Sequence, residues 1–315
     1  MKTAEQAAAW LREHDRYLIL THCNPDGDTI GSAAALCLGL RKLGKQAELF
    51  PNEQFSEPFL PLCEGLIGSG DPENATVISV DVSTKERVAF SAAHLADEIR
   101  LSIDHHDSNT KFAEENLVFP CAACAEIVFR ILKALPVELD TAIGERLFVA
   151  VSTDTGGFRH PNLTPETFLL GAECLRLGVD FTTWNRVLFT ERSLPRLRLE
   201  AYLAETTELY SGGKLAISVI PPEIPAKLNA RESDLESLSN YPVNIAGVQI
   251  SALLRMTDRG AKLSMRANPP GNVAELCACF GGGGHAGAAG AVLPGTLEEA
   301  KAALLEVLRQ KGLLE

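Results

Sequence analysis

The sequence contains no apolar run of the length that a membrane-spanning helix needs. Its start, "MKTAEQAAAWLREHDRY", has no basic segment followed by an apolar one, so it does not read as a secretory signal. With no membrane signal of either kind, the expected compartment is the cytoplasm. Eight cysteines are scattered without small-domain disulfide spacing, which predicts free, buried thiols. Positive charge is scarce: 29 Lys and Arg stand against 41 Asp and Glu, a formal net charge of −12. That balance argues against wrapping long duplex nucleic acid by counterion release. It leaves room for short nucleotides, which a local basic pocket or bound metal ions could hold. There is no internal repeat, and no G-K-[ST] follows the single glycine run, so the P-loop pattern is missing as well.

What is present is a globular composition, 46% hydrophobic and 22% charged. A chain of 315 residues is too long for one ordinary core and predicts two domains. "TAEQ" (3–6) has the form of a capping box opening an Ala-rich helix to about Glu13. "YLIL" (17–20), "QAELF" (46–50), "ATVISV" (75–80) and "IRLSI" (99–103) read as short buried strands, and a helix is expected over 32–44. Further helices are expected over 122–135, 142–154 and 165–178, and a helical stretch over 182–210. After "SGG" (211–213), three strands, a short helix, a glycine run and a final helix follow. The expected fold is α/β: an N-terminal, mainly parallel sheet with helices on both faces, and a smaller C-terminal α/β domain. The expected boundaries are 1–190, a helical connector over 191–212, and 213–315.

Acids and imidazoles gather after the strands. "HCNPDGDTIGS" places His22, Asp26 and Asp28 just past the first. Asp81 follows "VISV", and Asp104, His105 and His106 end "RLSI". A further carboxylate, Asp154, lies in "STDTGGF". Ligands bind outside the carboxyl ends of strands in open α/β sheets, so these groups should converge on one edge. Neighbouring carboxylates repel, and a cation would offset that repulsion. Imidazole with carboxylate and no thiolate suits Mn²⁺, Mg²⁺, Fe²⁺ or Zn²⁺. Four aspartates and at least two histidines are more than one ion with open positions needs. A pair of metals about 3.5–4 Å apart, sharing one carboxylate, would use them to activate water and clamp a phosphoryl group.

Other groups carry less. His14 and His94 read as surface residues, and Cys121 and Cys124 as small packing residues on a helix. The arginines of "RVLFTERSLPRLR" read as a solvated helix face. "GGGGHAGAAG" (281–290) reads as a loop whose N–H groups could cradle a phosphate, with His285 adding a donor. Arg266, shortly before it, is a reasonable clamp for a terminal phosphate.

Taken together, "HCNPDGDTIGS", "SVDVS", "DHH" and "STDTGGF" resemble the four motifs of the DHH phosphoesterases. "SMRAN" followed by "GGGGHAGAAG" resembles the associated C-terminal substrate-binding domain of that family. The stretch after DHH is similar to that of its stand-alone nanoRNases, oligoribonucleases that also dephosphorylate 3′-phosphoadenosine 5′-phosphate (pAp). The resemblance implies two divalent ions, Mn²⁺ first among the candidates, in a cleft between the two domains. His22 and Asp26 would hold one ion with Asp81. Asp28, His105 and Asp154 would hold the other, with Asp81 bridging. Asp104 would orient a neighbouring imidazole, and His106 would face the phosphate. Arg266, His285 and the backbone at Gly283 and Gly284 would bind substrate, joined by Arg159 and His160 after the fourth motif. Ala267 stands where the family often has serine. The implied substrates are short RNA or small nucleotides, and the family suggests a homodimer. Alternatives are a phosphodiesterase for pApA or cyclic di-AMP and, in another class, a non-catalytic nucleotide sensor.

Overall fold

A computed structural model describes residues 3–314, and the chain divides into two compact units, Met1–Glu191 and Arg192–Glu315. The first unit is built on α1 (Ala4–Glu13), β1 (Tyr17–Leu20), α2 (Gly27–Lys42), β2 (Ala47–Leu49), α3 (Leu60–Cys63), β3 (Thr76–Val80), β4 (Leu101–Asp104) and β5 (Glu115–Val118). It is completed by α4 (Cys124–Ala134), α5 (Thr141–Asp154), α6 (Pro165–Arg176) and α7 (Phe181–Asn185). The five strands are all parallel, in the order β2-β1-β3-β4-β5. Every residue of β1, β3 and β4 is buried, which explains why their sequences are continuous β-branched and aliphatic runs rather than alternating ones. Tyr17, Ile19, Ile78, Val80, Leu101 and Ile103 face a core shared with α1, α2, α4 and α5. Leu18, Leu20 and Val77 face the other side, which Val88, Ala89 and the 3₁₀ turn Phe90–Leu95 close in place of regular helices.

The helix expected over 32–44 begins five residues earlier. Asp26 is its N-cap, accepting hydrogen bonds from the Asp28 and Thr29 amides at 3.0 and 3.2 Å. Gly31 lets α2 lie against α5, since an added Cβ there would stand 2.4 Å from the Arg146 carbonyl oxygen. Strand β5 was not expected. Only Leu117 of its four residues is buried, so it lacks the apolar run that marks its neighbours.

The second unit comprises α8 (Leu194–Thr206), β6 (Glu208–Tyr210), β7 (Leu215–Ile220), α9 (Glu223–Lys227), α10 (Glu232–Leu235), α11 (Asn240–Val243), β8 (Ile250–Thr257) and β9 (Gly260–Ala267). It ends with α12 (Ala274–Ala278), β10 (Gly283–His285), β11 (Ala288–Leu293) and α13 (Leu297–Gln310). Its sheet runs β10-β11-β9-β8-β7-β6 and is mixed. The stretch over 182–210 is not one helical piece. It holds α7, a π-helical turn over Arg186–Thr190, α8 and the edge strand β6. Leu199 and Leu203 of α8 are buried with Ile220, Leu238 and Leu253, so α8 packs as part of the second unit. Arg196 is no solvated residue either. It binds Glu200 and the carbonyls of Asp234 and Glu236. No helix among the described residues is long and apolar enough to cross a membrane.

Candidate metal centre

In a parallel sheet of order 2-1-3-4-5, the chain leaves β1 and β3 in opposite directions, and a crevice opens at their carboxyl ends. His22, Asp26 and Asp28 follow β1, Asp81 follows β3, and Asp104, His105 and His106 close β4. Asp154 arrives from the end of α5. Potential ligand atoms fall into three overlapping groups, each within 4.8 Å: His22–Asp26–Asp81, Asp28–His105–Asp154 and Asp81–His105–His106.

Asp81 joins them. Its two carboxylate oxygens face different histidines, Oδ2 lying 3.6 Å from His22 Nε2 and Oδ1 3.4 Å from His105 Nε2. Each imidazole is turned by its other nitrogen. Nδ1–H of His22 donates to the Cys23 carbonyl at 2.9 Å, and Nδ1–H of His105 to the Cys121 carbonyl at 3.0 Å. Both rings therefore aim Nε2 at the carboxylates, and in the neutral ring that nitrogen carries the lone pair a metal needs. Asp81 has φ +61, a left-handed conformation that a non-glycine residue holds only when its surroundings demand it. Its amide donates to Ile103 at 2.8 Å, which fixes the turn.

Two buried atoms in this cluster, Asp81 Oδ1 and His105 Nε2, have no hydrogen-bond partner. A buried polar atom left unpaired is costly, and a cation between them would satisfy both. The titration behaviour has the same cause. Burial, reinforced by the charges of Asp28, Asp26 and Asp81, pushes Asp154 up to about 9. Burial and the charges of Asp81 and Asp26 also raise Asp28 well above the ordinary carboxylate range. Burial alone would lower His22, yet Asp26 and Asp81 override it and raise the imidazole to about 10. Without cations the cluster holds more carboxylate than its burial supports. The donor set, imidazole and carboxylate oxygen without thiolate, suits a divalent metal.

Asp28 is completely buried and held in place from three sides. Ser32 Oγ donates to its Oδ1 at 2.8 Å, and the Cys124 and Ala125 amides at the start of α4 donate at 2.6 and 3.1 Å. The start of α4 is therefore an anion-binding helix terminus directed at a candidate ligand. Cys121 lies outside the helix on which it was expected. It precedes α4 and contributes its carbonyl to His105, while its thiol contacts the Ala123 carbonyl. Cys124 is the first residue of α4 and fully buried, and burial pushes both thiols up, so neither is prepared to bind metal.

His106 stands apart from the other two histidines. Its Nδ1 hydrogen-bonds Asp104 Oδ1 at 2.7 Å, a contact that raises the imidazole, and the ring is only partly buried. Asp104 is fully buried. Burial would raise it, but His106 and Asn109 hold it below its ordinary value. Asn109 Nδ2 donates to Asp104 Oδ2 at 2.7 Å and to the Val82 carbonyl at 3.1 Å. Sequence reasoning overlooked Asn109, whose only signal is its place five residues after Asp104. Ser32 was also missed. It lies four residues after Asp28, a spacing that brings side chains together once α2 is known to begin at Gly27. Replacing Asn109 with alanine should lower kcat about 10- to 100-fold with metal affinity retained, the range typical of groups that orient an active imidazole. An unchanged kcat, with metal titration as control, would remove that role.

Arg159 and His160 turn back onto their own loop. Arg159 Nε donates to the Gly156 carbonyl at 2.5 Å, with its guanidinium 5.4 Å from the centre of the Phe189 ring. His160 Nδ1 lies 3.2 Å from the Asp154 carbonyl oxygen. His14 is no bare surface residue: it stacks on Trp10 at 3.9 Å and meets the Arg100 guanidinium.

The glycine run of the second unit is not a loop. It forms the hairpin β10/β11, with Gly283 opposite Gly290 and His285 opposite Ala288. Glycine at 282 and 284 is required by packing, since added Cβ atoms would stand 2.2 and 2.5 Å from β11 carbonyl oxygens. Arg266 lies opposite Ala288 on the next strand. Its Nε donates to Asn240 Oδ1 at 2.6 Å and one Nη to the Met265 carbonyl at 2.9 Å, leaving other N–H groups free.

Residues 16–151 match the DHH family, N-terminal domain, and residues 212–311 match the DHHA1 domain. The chain is 32% identical over 298 residues to the bifunctional oligoribonuclease and PAP phosphatase NrnA of Thermus thermophilus, covering 93% of this chain and 89% of that protein. Identity to the NrnA of Bacillus subtilis is 23%, covering 88% and 89%. Among solved structures, an exopolyphosphatase-related protein from Bacteroides fragilis shares the fold with a TM-score of 0.88 and 24% identity, covering 98% of this chain and 96% of that one. With both domain types matched in order and a relative above 30% identity over nearly the whole length, the chain belongs to the DHH family and carries its DHHA1 domain.

Proposed function

We propose that this protein is a metal-dependent phosphoesterase that degrades short oligoribonucleotides to mononucleotides and removes phosphate from pAp. The observation that carries the reading is Asp81, whose two oxygens each face the open nitrogen of a different histidine. Support comes from the NrnA relatives, which are named for both activities.

His22, Asp26 and Asp81 would hold one divalent ion, and Asp28, His105 and Asp154 a second shared through Asp81, with Mn²⁺ the first candidate. When bound, such ions lower the pKa of water and stabilise charge on a phosphoryl group. The chain's own residues supply the rest. The Cys124 and Ala125 amides and Ser32 hold Asp28 in one orientation. Asp104, itself held by Asn109, keeps the His106 imidazole protonated at Nδ1. The same contact favours the imidazolium form, whose Nε2–H is then available to donate to a phosphate oxygen or to the leaving group. Arg266 and His285 would grip a second phosphate, and Gly283 leaves space beside them. Arg159 and His160 shape the loop that carries Asp154.

Product analysis with Mn²⁺ tests this. Labelled two- to five-mer RNA, pAp, pApA and cyclic di-AMP are offered side by side. Mononucleotides from RNA and phosphate from pAp are expected. Cleavage confined to dinucleotides would move the protein to signal turnover. Nucleotide binding with no cleavage and no metal uptake would make it a sensor. In the same assay, Arg266→Ala should lose about 1.5–3 kcal/mol of substrate binding, the value of a charge-assisted hydrogen bond, with metal binding unaltered. Unchanged KM and kcat would sink that role.

A further inference from the structure

The second sheet is covered on one face only in part. Ala261, Leu263 and Met265 of β9 and Ala289, Ala291 and Leu293 of β11 are buried in a core with Leu304 and Leu308 of α13. Alternation turns Lys262, Ser264 and Arg266, and Ala288, Gly290 and Val292, to the opposite face. The register sets these residues in rows. Arg266 lies opposite Ala288 and Ala288 opposite His285, while Ser264 lies opposite Gly290 and Gly290 opposite Gly283. Lys262 lies opposite Val292. The surface is thus a flat floor of small residues, with Arg266 and His285 at one end and Lys262 at the other.

Two features of that floor have no explanation in the fold. Gly283 has no left-handed φ, and an added Cβ would meet nothing within 4 Å, so neither backbone nor packing requires glycine there. Its neighbours at 282 and 284, by contrast, are forced by contact with β11. Lys262 lies directly opposite Arg255 on β8, and like charges so placed destabilise a sheet. Glu232 pairs with Arg255, but Lys262 is exposed and has no ion pair or hydrogen bond among the described residues. An uncompensated cation beside another cation is notable in a chain of net charge −12.

We propose that Lys262 is a further phosphate subsite, reached only by substrates longer than one nucleotide. Lys262 and Arg266 are four residues apart on one strand, about 14 Å at the rise of an antiparallel strand. That is the span of two nucleotide repeats in an extended single strand. A dinucleotide unit lies on the Gly283–Gly290–Ser264 floor, its outer phosphates directed to the cations at either end. The two phosphates of pAp lie one nucleotide repeat apart, too close to span both cations, so pAp engages the Arg266 end alone. Lys262 therefore sets the preference between short RNA and pAp. This deepens the function proposed above and rests on it for the identity of the anion.

The test is equilibrium binding of a labelled RNA pentamer in chelator, where nothing is cleaved, with pAp as competitor, across a salt series. Lys262→Ala should weaken the pentamer more than pAp, and Lys262→Glu more strongly still. The slope of log affinity against log salt for the pentamer should fall by about 0.7, the loss of one single-strand phosphate contact. Arg266→Ala should weaken both ligands. An unchanged slope, or equal losses for pentamer and pAp, overturns the subsite. Failure of the wild-type protein to cleave RNA would count against the proposed function alone, because the titration reads binding directly.

Discussion

Asp81→Ala is expected to abolish turnover, lowering kcat by at least about a thousandfold, because a divalent ion supplies several kcal/mol of charge stabilisation and each 1.36 kcal/mol is tenfold in rate. The reason is specific to this side chain. Asp26 or Asp154 meets one group of potential ligands, whereas Asp81 belongs to two of the three and, among the described residues, is the only carboxylate facing both His22 and His105. Metal binding gives a second readout. Ligand that binds only the folded state stabilises it, by about 2.7 kcal/mol at a hundredfold excess over Kd. Wild-type protein should therefore melt higher with Mn²⁺ than in chelator, and the variant should lose most of that rise. Near-normal turnover together with an intact Mn²⁺-dependent rise would remove Asp81 as the shared ligand.

Gly31→Ala is expected to destabilise the fold by about 1–3 kcal/mol, the ordinary cost of overpacking. Its sign is the informative part. Helix propensity alone predicts a gain of roughly 1 kcal/mol for this change inside a helix. The added methyl, however, would stand 2.4 Å from the Arg146 carbonyl oxygen and 2.9 Å from Ala150 Cβ. A backbone oxygen moves only if its helix moves, so α2 and α5 must separate. Asp28 is in the first turn of α2 and Asp154 is the last residue of α5, so the strain also reaches the candidate site. Urea unfolding and Mn²⁺ titration should show a lower midpoint and weaker metal binding. A higher midpoint would mean that the two helices are not held as closely as the packing requires.

The sequence was most legible where structure is local. β1, β3 and β4 are buried on both faces, and their short apolar runs mark both the strands and the carboxyl ends from which functional groups project. The identities of the clustered residues were legible for a related reason: carboxylates and imidazoles that close apolar strands have few other uses. The start of α2 was obscured because "NPDGD" reads as a turn, and only the Asp26 cap shows that the helix has already begun. Strand β5 lacked any apolar signature, since one edge of its sheet is half-exposed.

By itself the sequence determined the parallel character of the first sheet, the chemical type of the donor set and the order of the motifs, because these follow from side-chain periodicity and composition within a few residues. Only the tertiary structure decided how each donor is aimed. Asp28 takes its orientation from the Cys124 and Ala125 amides, 96 and 97 residues away, and His105 from the Cys121 carbonyl. The glycine run forms the hairpin β10/β11, and β11 is joined to the sheet by pairing with β9. Such pairings join segments far apart in the chain, and their hydrogen bonds use backbone groups that every residue carries, so no local pattern of side chains announces them.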